Sequence, residues 1–351
     1  MKNLVMGILF LIIFVPFVNA ISIENQEFAL DIPDVVENVK PLPIPINDEL
    51  NFIVHGDTHA GDDGATATHK ELVKRFLEYK PSLIFNTGDV VHGQWGGPDN
   101  WDIFHKIAGK VVKSIPYYPT IGNHDDRIGV EYYFDYFPNL PNSQKNGTYY
   151  YVEHPDAIFI VLDVDNEFEE SNNADFTEQN VWLDQVLTNY SNKTYKFVFF
   201  HRPSYTSGFR GACLWARGFD STFQKHGVDI VFMGHVHAYE RFYINGVHYI
   251  ATGGAGGIPH TLDVYHDYPV ATREYSELTY NYVTVSGDDK SVLIEARYPD
   301  GKVFDSFSIT QGIPYVPNPD ESLKAISKDS SRKKSIKLNK LVFYSPSVLK
   351  A

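Results

Sequence analysis

Leu50-Asn51-Phe52-Ile53-Val54-His55-Gly56-Asp57-Thr58-His59 sets a pattern that the rest of the chain repeats. A short apolar run ends in a glycine, and the glycine is followed by side chains able to bind cations. Runs of this length bounded by turn residues read as buried strands. The pattern returns as Ser82–Phe85 followed by Gly88-Asp89-Val90-Val91-His92, and as Ile115–Ile121 followed by Gly122-Asn123-His124-Asp125. Tyr195–Phe200 runs into His201-Arg202-Pro203, and Val228–Met233 into Gly234-His235-Val236-His237. Ala157–Leu162 and Val247–Ala251 are further strand-like runs. Between them lie amphipathic stretches: His69–Tyr79 with Leu72, Val73, Phe76 and Leu77 on one face, and Thr177–Leu187 with Val181, Trp182, Leu183 and Val186. Phe219–His226 is a third, stopped by Gly227 at a position suited to a left-handed helix cap. Strands alternating with helices predict an α/β domain. Beyond Gly257 the strand-like pieces Tyr280–Ser286, Ser291–Arg297 and Val303–Ile309 are expected to pair antiparallel and complete a second sheet.

Neighbouring strands of an open α/β sheet share one crevice at their carboxyl ends, so the carboxylate, amide and imidazole groups after these runs are expected to meet. In Asp57-x-His59 and His235-x-His237 the residues i and i+2 project to the same side and can approach a cation together. Gly56, Gly88, Gly122 and Gly234 permit close approach beside each proposed ligand. A lone Gly-Asp or histidine at a strand end is structural more often than catalytic, but five such pieces in order point to a metal site. Nitrogen and oxygen donors without thiolate suit Mn, Fe or Zn better than a soft-metal or structural Cys-zinc site. The donors are too many for one ion. Two ions sharing a carboxylate fit the number, an arrangement used for in-line displacement at phosphorus.

Composition narrows the classes. Lys and Arg total 30 against 44 Asp and Glu, a net charge of −14, and so acidic a surface repels nucleic-acid phosphates. No nucleic-acid binding is expected. With 43% hydrophobic and 21% charged residues the chain is neither disordered nor fibrous. A single cysteine, Cys213, excludes an internal disulfide and leaves core packing and bound metal to hold the fold.

Taken together, Asp57-x-His59, Gly88-Asp89, Gly122-Asn123-His124-Asp125, His201 and Gly234-His235-Val236-His237 resemble the calcineurin-like metallophosphoesterase superfamily over about residues 50–255. Phe200-His201-Arg202-Pro203-Ser204-Tyr205 and Gly234-His235-Val236-His237-Ala238-Tyr239-Glu240-Arg241 are especially similar to purple acid phosphatases. The resemblance implies a four-layer α/β/β/α sandwich of two mixed sheets flanked by helices, with the metal site at the C-terminal ends of the strands. It implies Asp57, His59, Asp89 and His237 as ligands of one ion and Asp89, Asn123, His201 and His235 as ligands of a second, with Asp89 bridging. The pair is expected to be drawn from Fe, Mn or Zn. His124 matches the histidine that touches the phosphate or protonates the leaving oxygen, and Asp125 or a neighbouring carbonyl is expected to orient its ring. Asn123, His92, Arg202 and Arg241 are the candidate substrate contacts, each arginine being equally a candidate for a structural ion pair. Gln179-x-x-Trp182-Leu183 resembles a family helix and is read as packing. The chain departs from purple acid phosphatases at two places. They carry a tyrosine three residues after the bridging aspartate and lack the histidine of Asp-x-His. Here His92 takes the tyrosine's place, as substrate contact, extra ligand or support, so no tyrosinate-to-iron colour is expected.

The implied activity is hydrolysis of a small phosphorylated substrate by a metal-bound hydroxide, phosphomonoesters being favoured by the likeness to acid phosphatases. The alternatives are a phosphodiesterase acting on a nucleotide or lipid head group, and a secreted binding protein that keeps the fold without turnover. The distinction is expected to lie in loops near Trp95–Trp101, Tyr205–Trp215 and Gly253–Tyr265.

Residues 1–20 read as a cleaved secretory signal: Lys2, a nearly apolar run from Leu4 to Val18, and Val18 and Ala20 placed before the cut. Pro16 and the shortness of the run argue against a stable membrane span. Asn146, Asn189 and Asn192 each open an N-x-S/T acceptor for a glycan. The expected destination is secreted, or lysosomal or vacuolar. Residues 21–47, with Pro33, Pro41, Pro43 and Pro45, read as an extended lead-in, residues 48–311 as the catalytic domain and 312–351 as a basic, flexible tail. From Asp320 onward 8 Lys or Arg face 3 Asp or Glu, whereas residues 21–319 carry 21 against 41. No sequence feature fixes an oligomeric state.

Overall fold

The computed structural model describes residues 49–93, 97–144, 147–165, 173–264 and 272–317. The expected signal (1–20), the lead-in (21–47), Trp95, Asn146 and the tail beyond 317 lie outside the described residues. The first sheet holds β1 (Leu50–His55), β2 (Leu83–Asn86), β3 (Tyr117–Pro119), β11 (Tyr282–Gly287), β12 (Ser291–Arg297) and β13 (Val303–Thr310) in the order β13-β12-β11-β1-β2-β3. The second holds β4 (Tyr150–Glu153), β5 (Ala157–Val161), β6 (Tyr195–Phe200), β7 (Ile230–Met233), β8 (Tyr239–Ile244), β9 (Val247–Thr252) and β10 (Arg273–Glu277) in the order β10-β8-β9-β7-β6-β5-β4. Each sheet is mixed. Strands β1, β2 and β3 pair parallel, as do β5, β6, β7 and β9, while the outer strands join antiparallel. The last three strands pair antiparallel as expected, but they do not complete the second sheet. They extend the first, β11 lying against β1 with Val285 opposite Phe52, and the second sheet is built wholly from β4 to β10.

Alternation of side chains along each strand explains the layering. Phe52 and Phe85 of the first sheet meet Phe159, Phe197, Phe199 and Phe232 of the second, with Phe85 stacked on Phe199 at 4.2 Å and Phe52 edge-on to Phe197 at 5.2 Å. The intervening Val198 and Phe200 turn the other way, onto Leu183, Val186 and Leu187 of α5 (Asn173–Asn189) and Phe223 of α6 (Asp220–His226). On the far side, α1 (Asp63–Tyr79) and α2 (Asp99–Ser114) cover the first sheet, Phe76 packing against His55 at 4.9 Å and Phe104 against Tyr117 at 6.1 Å. The result is the α/β/β/α sandwich the sequence implied. Two short helices, α3 (Asn123–Ile128) and α4 (Val130–Tyr136), follow β3. Helix α1 starts where the Asp62 carboxylate accepts the Gly64 N–H at 2.9 Å, and α6 stops at Gly227, whose φ is 62°. Among the described residues no helix is long and apolar enough to cross a membrane.

Candidate metal centre

Every expected ligand sits just past the carboxyl end of a strand: Asp57 and His59 after β1, Asp89 after β2, Asn123 after β3, His201 after β6, and His235 and His237 after β7. The chain must turn sharply there while the side chains still point inward. Asp57, His59, Asp89 and His235 accordingly take positive φ values of 59°, 46°, 51° and 66°, four of the nine such non-glycine residues described. Strained backbone of this kind persists where the surroundings over-determine it, and it collects at functional sites. Hydrogen bonds supply that constraint. The Asp57 N–H donates to Gly88 O at 2.9 Å, the His59 N–H to Asp89 O at 3.1 Å, and the His235 N–H to both Asp57 oxygens at 3.0 and 2.9 Å.

The donors fall into two groups. Asp57, His59 and His237 offer atoms within 4.8 Å of one another, and so do Asp89, His201 and His235. Asp89 stands between the groups. Its Oδ1 accepts the His124 N–H at 2.7 Å, which leaves Oδ2 at 3.4 Å from His59 Nε2 and 3.3 Å from His201 Nε2. Partners behind the rings select their tautomers. His201 Nδ1 donates to Thr87 O at 2.8 Å and His237 Nδ1 to Ile258 O at 2.8 Å, so both rings turn an Nε2 lone pair toward the carboxylates. Thr87 and Ile258 went unnoticed in the sequence because they act through backbone oxygens.

Two observations fit these residues to cations. Asn123 Oδ1 and His59 Nε2 are buried and have no hydrogen-bond partner, a costly condition unless a cation coordinates them. The electrostatics agree. Burial opposes a charged His201, yet Asp89 and Asp165 outweigh it and raise its pKa to about 10. Burial likewise opposes the charge of Asp89, yet His201 holds its pKa well below the usual carboxylate range. The carboxylates of this pocket call for positive charge at that spot, which a divalent cation meets more fully than a proton.

The neighbouring imidazoles are close. The His92 ring lies 5.4 Å from that of His59 and 5.1 Å from that of His124, and its Nδ1 is buried without a partner. Burial, and then the like charge of His59, lowers the pKa of His92. His124 Nδ1 accepts the Gly93 N–H at 2.9 Å, so the neutral ring carries its proton on Nε2, and burial pushes its pKa down to about 3. The expectation that Asp125 or a carbonyl orients this ring is therefore corrected. Asp125 instead receives the Val91 and Gly122 N–H groups at 3.1 and 2.9 Å and braces the turn on which Asn123 sits.

The two arginines differ in placement. Arg202 lies at the second group, its Nη1 3.4 Å from His235 Nε2 and its Nε bonded to the buried carboxylate of Asp165. Burial raises the pKa of Asp165 to about 6. Arg241 is buried among Asp305 and Glu274 with its guanidinium 4.6 Å from the centre of the Phe307 ring, the structural ion-pair role of the two the sequence allowed. Gln179 does more than pack: it donates to Asp163 O and accepts the Asp163 N–H, both at 2.8 Å, and thereby ties α5 to the segment carrying Asp165. Asn189 and Asn192 are exposed at and just after the end of α5.

The family model for calcineurin-like phosphoesterases matches residues 50–239. A phosphoenolpyruvate phosphatase of Allium cepa is 27% identical over 214 residues, 55% of this chain and 43% of that protein. A purple acid phosphatase of Glycine max is 27% identical over 199 residues, 51% of this chain and 41% of its own length. The chain thus spans about half the length of the curated relatives it matches. The structure of the purple acid phosphatase PPD1 from yellow lupin (Lupinus luteus) seeds superposes with a TM-score of 0.63 at 18% identity, covering 78% of this chain and 55% of that one, a likeness of fold.

Proposed function

The chain belongs to the calcineurin-like phosphoesterase family, and from that premise we propose that it is a dinuclear-metal phosphoesterase of the secretory route that hydrolyses phosphomonoesters. The position of Asp89 Oδ2, 3.4 Å from His59 Nε2 in one donor group and 3.3 Å from His201 Nε2 in the other, carries the reading. Asp57, His59, Asp89 and His237 would hold one cation, and Asp89, Asn123, His201 and His235 the other. When bound, such a pair lowers the pKa of water and neutralises charge developing on the phosphoryl oxygens.

The chain's own groups do the rest. His124 presents its Nε2–H as a hydrogen-bond donor to the phosphoryl or leaving oxygen, fixed in that tautomer by Gly93. His92 stands beside it as a second imidazole for the same oxygens, and Arg202, braced by Asp165, approaches from the side of His235. The signal-like run in residues 2–20 and the exposure of Asn189 and Asn192 support passage through a compartment where glycans are added. The likeness to acid phosphatases favours monoesters and a secreted or vacuolar destination.

The test is turnover of p-nitrophenyl phosphate against bis-p-nitrophenyl phosphate after loading with Mn, Zn or Fe. Monoester turnover that chelation abolishes is expected. A faster diester would make the chain a phosphodiesterase, and tightly bound cations without turnover of either ester would make it a binding protein.

A further inference from the structure

Phe209, Leu214, Trp215, Ile258 and Val264 are five of the eleven large apolar side chains that stand exposed among the described residues, Phe209 at 57% and Ile258 at 64%. All five lie on two loops, residues 203–215 after β6 and 253–264 after β9, which make up about a tenth of those residues. Chance placement would put about one there. Each loop is rooted at the metal centre. The first leaves directly from His201, and the second sets Ile258 O on His237 Nδ1 at 2.8 Å and stacks His260 on His237 with ring centroids 3.9 Å apart.

Backbone hydrogen bonds join the loops into one ledge. The Phe209 N–H donates to Thr261 O at 2.9 Å and the Val264 N–H to Ser207 O at 2.9 Å. Below them the buried Glu240 carboxylate accepts the Ser207 N–H and hydroxyl, which ties the first loop to β8. Exposed apolar side chains gathered on two hydrogen-bonded loops mark a place that a ligand or partner covers, and the second loop carries the carbonyl that holds His237.

We propose that the ledge receives the alcohol part of the substrate, and that this part is apolar: an alkyl or aryl group running out over Phe209 and Leu214 from a phosphoryl group seated beside His124 and Arg202. The inference rests on the phosphoesterase reading and names its substrate class. Attachment to the site selects this occupant, because the second loop holds His237 through Ile258 O and stacks His260 on its ring, so the ledge adjoins the place where an ester's phosphorus would sit. In the reaction the water oxygen bonds to phosphorus, the bond from phosphorus to the alcohol oxygen breaks, and that oxygen takes up a proton.

The experiment measures kcat/KM on the full, cation-loaded chain for alkyl phosphates from ethyl to octyl. A rise of about 2- to 4-fold per methylene is expected until the ledge is covered. Phe209→Ser combined with Leu214→Ser should flatten that gradient while cation content holds; Ile258 is left intact because its carbonyl supports His237. A flat gradient in the natural protein, or an undiminished one in the variant, overturns the proposal. Absence of turnover with every ester would count against the phosphoesterase reading alone. The ledge is then read by calorimetry, where octylphosphonate must bind the natural protein more tightly than methylphosphonate and lose that advantage in the variant. Co-sedimentation with neutral phosphatidylcholine vesicles without any chain-length gradient would assign the ledge to a membrane surface and overturn the proposal as well.

Discussion

Replacing Gly122 by alanine isolates the close packing around the bridging carboxylate. Gly122 has φ −113° and ψ 168°, an extended conformation open to any residue, so the change brings no backbone strain. By itself it would stabilise the protein by about 0.4–1 kcal/mol through a stiffer unfolded chain. The added Cβ, however, would lie 2.3 Å from both the amide nitrogen and Oδ1 of Asp89, where real Cβ contacts do not fall below 3.0 Å. Something must retreat by at least ~0.7 Å. A side-chain movement relieves only one of the two contacts, so the Asp89 backbone, whose carbonyl bonds the His59 N–H, must shift together with the carboxylate whose Oδ2 faces both donor groups. Overpacking of this kind costs about 1–3 kcal/mol, and a misplacement approaching 1 Å costs on the order of 10²-fold in rate. Gly122→Ala should therefore lower kcat/KM for p-nitrophenyl phosphate about 10²-fold, reduce the cations bound per chain and lower the urea midpoint. Gly246→Ala serves as control. At φ 90° with no heavy atom within 4 Å of its Cβ, it should lose about 1 kcal/mol of stability and keep its cations and rate. A Gly122→Ala protein with normal rate and cation content would refute the reasoning.

His124→Gln should leave cation content intact and lower kcat by about 10²–10³-fold, most for esters with a poor leaving group; a uniform loss across leaving groups would remove His124 from the leaving oxygen. For His92→Phe, elemental analysis should still find the full cation complement while kcat/KM falls roughly tenfold. Loss of a cation there would make His92 a ligand instead of a substrate contact. Acid should weaken the fold through His69, which lies on the buried face of α1 against Phe104 with a pKa lowered by desolvation from 6.5 to about 3. Between those values the unfolded chain binds more protons than the folded one, so stability falls as pH drops from about 6.5 toward 3, by about 2 kcal/mol at pH 5. Urea midpoints at pH 7 and 5 check this, and His69→Leu should reduce the difference between them; an unchanged difference would mean that His69 does not titrate on unfolding.

What the sequence disclosed and what it hid follow the same physics. Tyr195–Phe200 is covered on both faces and almost wholly apolar, while Ser291–Arg297 alternates Val292, Ile294 and Ala296 inward with less buried positions, and so both were readable to the residue. The candidate ligand positions were legible because four of the five strand ends repeat glycine beside carboxylate, amide or imidazole, His201 alone following its strand directly. Strand β8, with Glu240 and Arg241 in its middle, did not read as buried because its charges are satisfied by Thr206, Ser207, Asp305 and Glu274, all distant in the chain or in other elements. Helix α2 was passed over because its start sits among Gly97, Pro98, Asp99 and Asn100, which read as a turn, although Trp101, Phe104, Ala108 and Val111 bury one face. The sheet joined by β11 to β13 could not be known without the register to β1. The groups that tune the site, the Gly93 N–H and the carbonyls of Thr87 and Ile258, leave no trace in residue type.

Cation stoichiometry, measured by elemental analysis of the full chain before and after Asp89→Ala, tests the central claim most directly. Two equivalents per chain in the natural protein, falling to one or none with phosphoesterase activity lost in the variant, is the predicted result. A natural protein that saturates at one cation, or an Asp89→Ala protein that still holds two and turns over substrate, would contradict it.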